Sequence, residues 1–143
     1  MARPFGALPP AGASLKVALG IGCDRNTAFE TLCEALDLAL KQSGVAEQEI
    51  VGLATIDQKR DEPAILRLAK EKNWPLYFYR AQELAQVEVP NPSATVQKYM
   101  GCPAVAEAAA LLLAGQTLSA LILEKLKHRG ADLKNVTLSM ASF

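Results

Sequence analysis

The chain has 143 residues and a mass of 15.3 kDa, which is one domain of ordinary size and leaves no room for a second. Apolar residues make up 50% and charged residues 21%, a balance that supports a buried core and excludes disorder throughout. Fifteen Lys and Arg offset fifteen Asp and Glu, so no overall field draws nucleic acid or anionic lipid, while a local site for a carboxylate-bearing small ligand remains open.

Residues 1–14 read as a flexible tail, because Pro4, Pro9 and Pro10 break the apolar stretch that a signal peptide would need. Residues 15–21 (LKVALGI) form a short apolar run suited to a buried strand that ends at Gly20-Ile-Gly22. Three- and four-residue spacing of Phe29, Leu32, Cys33, Leu36 and Leu40 predicts an amphipathic helix over residues 27–42, with Gly44 just beyond it. Thr27-x-x-Glu30 has the spacing of a capping box at that helix start. Residues 50–56 (IVGLATI) predict a second buried strand, followed by the polar loop 57–62 and a helix over residues 63–71 opened by Pro63. Residues 75–79 (PLYFY) predict a third strand, and a brief helix follows around residues 81–84.

Residues 87–101, with Pro90, Pro92 and Ser93, form the longest irregular connection, the kind of loop that often carries function. Residues 103–114 (PAVAEAAALLLA) predict a helix from first-turn proline, dense alanine and the terminator Gly115. Residues 118–126 and 136–140 predict two closing strands around a polar turn at residues 128–132. Strands and helices in alternation imply a single three-layer α/β/α domain over residues 15–143, with a mostly parallel, mixed sheet of about five strands to which the last hairpin adds antiparallel pairing.

The three cysteines, Cys23, Cys33 and Cys102, are odd in number and form no C-x-x-C pair, so neither a disulfide framework nor a zinc ribbon fits, and reduced thiols imply a cytoplasmic chain. Cys23 and Cys102 flank predicted helix starts, where a thiolate would be stabilised, although small buried packing residues look the same. With His128 the only histidine, no metal site is expected. No apolar run approaches the roughly 18 residues of a membrane span.

Gly20-Ile-Gly22-Cys-Asp-Arg25 lies between strand and helix, where free N–H groups favour an anion. Arg25 stands where a dinucleotide fingerprint needs glycine and no Gly-Lys-Ser/Thr follows, so a nucleotide site is not expected. Capping does not account for Arg25, whose guanidinium can grip a ligand carboxylate. Asp57, Lys59 and Glu62 occupy the carboxyl end of the second strand, where open α/β sheets bind ligands. The alternative for that loop is solvation, with Asp61 or Glu62 capping the next helix. Glu107 interrupts an apolar helix and needs water, a partner or a ligand, either by lying on an exposed face or by acting as acceptor or base. The run Lys125, Lys127, His128, Arg129 reads as a solvated strand end.

Taken together, Gly20-Ile-Gly-Cys23 with Arg25, residues 54–62 (ATIDQKRDE), Asn91-Pro-Ser93 and Gly101 through Ala110 resemble the cobalamin-biosynthesis family that comprises CobE and the C-terminal domain of CbiG. The match spans about residues 16–141 and looks like the stand-alone form, without the domain that precedes it in CbiG. The chain departs from the family pattern at Asp24 and Asn26, where a more basic, glycine-containing turn is expected. The resemblance implies a role in building the corrin ring, with a precorrin-type tetrapyrrole as ligand and no cofactor. Arg25 and Lys59 would then meet ligand carboxylates, Asp57 would line the same loop, Gly20, Gly22 and Gly101 would let backbone approach the ligand, and Ser93 would supply a hydrogen bond. Two alternatives follow from the same resemblance. One is a cobalt-precorrin-5A hydrolase-like enzyme that opens a ring lactone, with Glu107 or Glu62 activating water; the other is a non-catalytic carrier that meets other enzymes of the pathway.

Overall fold

The computed structural model describes residues 15–88 and 105–143. Its central strand β1 (Val17–Cys23) is buried on both faces for five residues, which is why this segment lacks the alternation of a half-exposed strand. β2 (Ile50–Ile56) pairs with β1 in parallel, and β3 (Leu76–Tyr79) extends that side in parallel with β2. β3 begins after Pro75, whose carbonyl still accepts from Leu53 N at 2.9 Å, so the proline costs the sheet only a donor. On the other side β5 (Asn135–Ser142) runs antiparallel to β1, and β4 (Leu121–Arg129) forms the far edge antiparallel to β5. The order is β3-β2-β1-β5-β4, a five-stranded mixed sheet in which only β5 opposes the common direction.

α1 (Phe29–Ser43) and α2 (Pro63–Lys72) cover one face of this sheet. Thr31, Leu32, Ala35, Leu36 and Ala39 of α1 and Ala64, Ile65, Leu68 and Ala69 of α2 are buried at helical spacing, against Leu19, Ile21, Leu53, Leu138 and Met140 of the strands. Gly44 and Asn73 end the two helices in the left-handed conformation, as C-terminal caps. α3 (Ala81–Ala85) and α4 (Val105–Ala114) cover the opposite face, completing the three layers. Every residue from Ala106 to Leu111 is buried, because alanine lets the helix lie close to β1, β2 and β5. Gly20 of β1 faces α4 so closely that a Cβ there would stand 1.9 Å from the Ala106 carbonyl oxygen.

Several boundaries differ from the sequence expectations for physical reasons. The first helix begins at Phe29 and the Thr27/Glu30 capping box does not form. Thr27 Oγ1 instead donates to the Asp24 carbonyl at 2.6 Å, and the Ala28 N–H donates to Asp132 Oδ2 at 2.8 Å, a carboxylate carried by the β4–β5 turn. Residues 118–120 form a 3-10 turn, and β4 starts later and runs through His128 and Arg129, two residues that the sequence pattern places in the turn. His128 Nε2 lies 2.9 Å from Glu34 Oε1 on α1, so the basic run is partly a contact between layers. The predicted tail, residues 1–14, and residues 89–104, which contain Ser93, Gly101, Cys102 and Pro103, lie outside the described residues.

Candidate functional site

The carboxyl ends of β1 and β2 and the first turns of α1 and α2 meet at one end of the sheet. The loop after β1 is fixed from both sides. Asp24 N donates to the Asn135 carbonyl at 3.0 Å and Asn135 N donates back to Asp24 Oδ2 at 2.8 Å, joining the loop to the start of β5. Asn26 adopts φ 63°, a left-handed conformation that asparagine tolerates, and its N–H donates to Glu62 Oε2 at 2.9 Å. Asp24 and Asn26 therefore anchor this turn.

Arg25 bridges to the loop after β2. Its Nη1 lies 2.7 Å from Asp61 Oδ1 and 3.2 Å from Glu62 Oε1, and its Nη2 donates to the Gln58 carbonyl at 2.6 Å. The Asp61 carboxylate, hydrogen-bonded by this guanidinium, is held below the usual carboxylate range. The expectation of a guanidinium free to grip a ligand thus needs correction: Arg25 already holds two carboxylates of its own chain. Glu62 belongs to the same network. It occupies the N-cap position of α2 without capping it, and its fully buried carboxylate faces Asn26 N and Arg25. Its Oε2 accepts from Asn26 N, while Oε1, 3.2 Å from Arg25 Nη1, has no hydrogen-bond partner among the described residues, so Glu62 tethers the two loops through one oxygen and its ion pair and leaves the other oxygen without a hydrogen bond.

A cavity of about 270 Å³ opens beside this network, lined by Arg25, Asp57, Gln58, Arg60 and Asp61. Lys59, in the 3-10 turn 57–59, falls between the lining residues Gln58 and Arg60 without lining the cavity itself, and is half-buried and without a salt bridge among the described residues. Its charge reaches Cys23, but burial dominates there and pushes the thiol up, so the helix start does not make Cys23 a reactive thiolate. Of the residues the sequence singled out here, Arg25 and Asp57 line the cavity and Lys59 does not. Gly22 faces Val105 with ordinary van der Waals room, whereas the close approach that Gly20 permits is taken by α4, so Gly20 has no face left for a ligand.

Glu107 lies on the first turn of α4, fully buried. Neither of its oxygens has a hydrogen-bond partner among the described residues, and Lys125 Nζ stands 3.7 Å from Oε1. Desolvation pushes its carboxyl up to about 7, against the opposing pull of Lys125. The exposed-face alternative is thereby excluded. Asp132, which sequence reasoning missed, accepts from Ala28 N, Thr31 Oγ1 at 3.0 Å and Lys134 N at 3.1 Å, and pins the hairpin to the start of α1. Lys134 is a local partner, but no local pattern signals the link to α1, whose two donors are 101 and 104 positions away.

No three His, Cys, Asp or Glu side chains cluster as metal ligands among the described residues. Residues 17–141 match the family described as Cobalamin synthesis G C-terminus. The chain is 40% identical over 118 residues to Protein CobE of Sinorhizobium sp, covering 81% of this chain and 75% of that one. It is 34% identical over 125 residues to a cobalt-precorrin-5A hydrolase of Priestia megaterium, covering 87% of this chain but only 32% of that protein, so it spans about a third of the hydrolase. Among solved structures, that of CobE from the cobalamin (vitamin B12) biosynthetic pathway superposes with a TM-score of 0.76 at 33% identity, over 97% of this chain and 96% of the other. Cobalamin biosynthesis protein chiG from Agrobacterium tumefaciens superposes with a TM-score of 0.59 at 26% identity, over 89% of this chain and 99% of the other. With an ordered set of motifs, a shared sheet and a family match across nearly all of its described residues, the chain belongs to the CbiG C-terminal and CobE family of cobalamin biosynthesis proteins.

Proposed function

We propose that the chain binds a corrin-ring precursor through the ligand's carboxylates, in the cleft at the carboxyl ends of β1 and β2. The observation that carries this reading is the cavity lined by Arg25 and Arg60, with Lys59, a half-buried cation without a salt bridge among the described residues, in the turn between the lining residues Gln58 and Arg60. A precorrin presents several carboxylates around a broad apolar face, so separate local cations suit it in a chain whose net charge is zero. The position also follows the rule that open α/β sheets bind ligands beyond the carboxyl ends of their strands. The test is calorimetric titration with cobyrinic acid, a corrinoid that bears carboxylates. Lys59→Ala should weaken binding roughly tenfold, the loss of one charge-assisted contact. Equal affinity in wild type and variant would remove Lys59 from the site, and no binding by wild type would refute the reading. Arg25→Ala is a poorer probe, since it strands the buried Glu62 carboxylate. Trp74 is a distant reporter, because it precedes β3 and lies toward the amino ends of the strands.

A second reading, lactone opening, is favoured by Glu107 alone. A buried carboxyl near pKa 7 suits a group that takes a proton from water as the water oxygen adds to the lactone carbonyl and the ring C–O bond breaks. Relatives named cobalt-precorrin-5A hydrolase make the reaction class relevant. With cobalt-precorrin-5A as substrate, Glu107→Gln should abolish the mass gain of one water that lactone opening gives and keep binding. Binding without that mass gain in the wild type would assign the carrier role instead.

A further inference from the structure

Arg25 is held differently on its two sides. Below it, the fully buried Glu62 carboxylate and the Gln58 carbonyl fix the guanidinium in place. On the solvent side sits Asp61, whose side chain is 79% exposed, with Oδ1 2.7 Å from Nη1. The exposed arm is the weak one, since ion pairs in water contribute little, whereas a buried carboxylate cannot give up its cation cheaply. Asp61 also lines the cavity together with Arg60 and Asp57.

We propose that Asp61 is a built-in occupant of a carboxylate site on Arg25, which an incoming ligand carboxylate displaces, so that Asp61 sets the selectivity of the cleft for ligands with several carboxylates. The inference rests on the proposed cleft and deepens it. Exchanging one carboxylate for another on Arg25 leaves its charge balance unchanged and keeps Glu62 paired. A single carboxylate therefore gains little by the exchange. A ligand with further carboxylates gains at Lys59 and Arg60 as well, and those contacts drive Asp61 off. The negative charge of Asp61 acts as a filter, removing weak anions from a site that would otherwise accept them.

The test uses citrate, a small tricarboxylate, at low ionic strength, with the Arg25 guanidinium followed by its nitrogen-15 NMR resonances. Asp61→Ala should bind citrate roughly two- to five-fold more tightly than wild type, the factor that an exposed ion pair can withhold. The Arg25 resonances should move along the same titration curve, which separates occupation of Arg25 from a general effect of removing a negative charge. Asp61→Asn keeps the shape of the side chain, and it carries the same test if the alanine variant does not fold. Unchanged affinity in the folded variant, tighter binding without an Arg25 shift, or no citrate binding in any form would each overturn the proposal. The cobyrinic acid titration of wild type stands apart. Its failure alongside a citrate gain would remove the tetrapyrrole and leave the displaceable Asp61, and the converse would remove only Asp61.

Discussion

Gly20→Ala isolates the contact that sets the distance between α4 and the sheet. The new Cβ would lie 1.9 Å from the Ala106 carbonyl oxygen, 2.8 Å from Ala110 N and 2.9 Å from Ala106 C. All three are backbone atoms, so no rotamer change relieves the overlap. Restoring a normal contact of 3.0 Å to that oxygen requires 3.0 − 1.9 = 1.1 Å of movement by α4 or β1. β1 is held between β2 and β5 by pairing at Gly20 itself, opposite Ala54 and Ser139, so the helix must retreat. A gap of about 1 Å forfeits roughly half of the dispersion attraction along the Ala106–Leu111 surface, and overpacking alone costs about 1–3 kcal/mol. The expected loss is about 3 kcal/mol, a fall in Tm of roughly 10 °C for a chain of this size, read by urea and thermal unfolding. Gly22→Ala is the matched comparison two residues along the strand. Its Cβ would meet only Val105 side-chain carbons, at 3.7 Å and 3.8 Å, and stability should stay within about 1 kcal/mol of wild type. A Gly20→Ala protein within about 0.5 kcal/mol of wild type would refute the close approach of α4 to β1.

Glu107 makes stability depend on pH in a stated direction. Its folded carboxyl is raised to about 7 from 4.5, so between those values the native state holds a proton that the unfolded chain has released, and stability falls as pH rises. Glu107→Gln should remove this slope, gaining roughly 1–3 kcal/mol on wild type between pH 5 and pH 8 in urea titrations; parallel pH curves would contradict the assignment. Asp132 runs the other way. Hydrogen bonds from Ala28 N, Lys134 N and Thr31 Oγ1 lower its carboxyl below 3.8, so its contribution is present above that value and is lost as pH falls through the lowered one. Asp132→Ala should lower Tm at neutral pH and speed amide exchange at Ala28, with the deficit shrinking in strong acid; unaltered exchange there would disconnect Asp132 from the start of α1.

Much of the architecture is legible in local pattern. The unalternating apolar runs at β1 and β2 announce strands buried on both faces, and helical spacing from Leu32 to Leu40 announces an amphipathic helix. The brief α3 and the mixed sheet of five strands also follow from alternation of elements along the chain. Local pattern reaches as far as the loops at the carboxyl ends of β1 and β2 that carry Arg25, Asp57 and Lys59. What those side chains do there was decided by partners distant in sequence. Arg25 meets Asp61 and Glu62 across 36 and 37 positions, α1 takes its first acceptor from Asp132, and Gly20 receives α4 instead of a ligand. Composition and periodicity report which residues prefer burial or a given backbone shape, since these are properties of a residue and its near neighbours. The pairing of a charge is not such a property, because it depends on which surfaces the fold brings within a few ångströms of each other. Glu107 shows both sides: its place in an apolar helix marks it from the sequence, and only the packing of α4 on β4 and β5 reveals that it is fully buried beside Lys125.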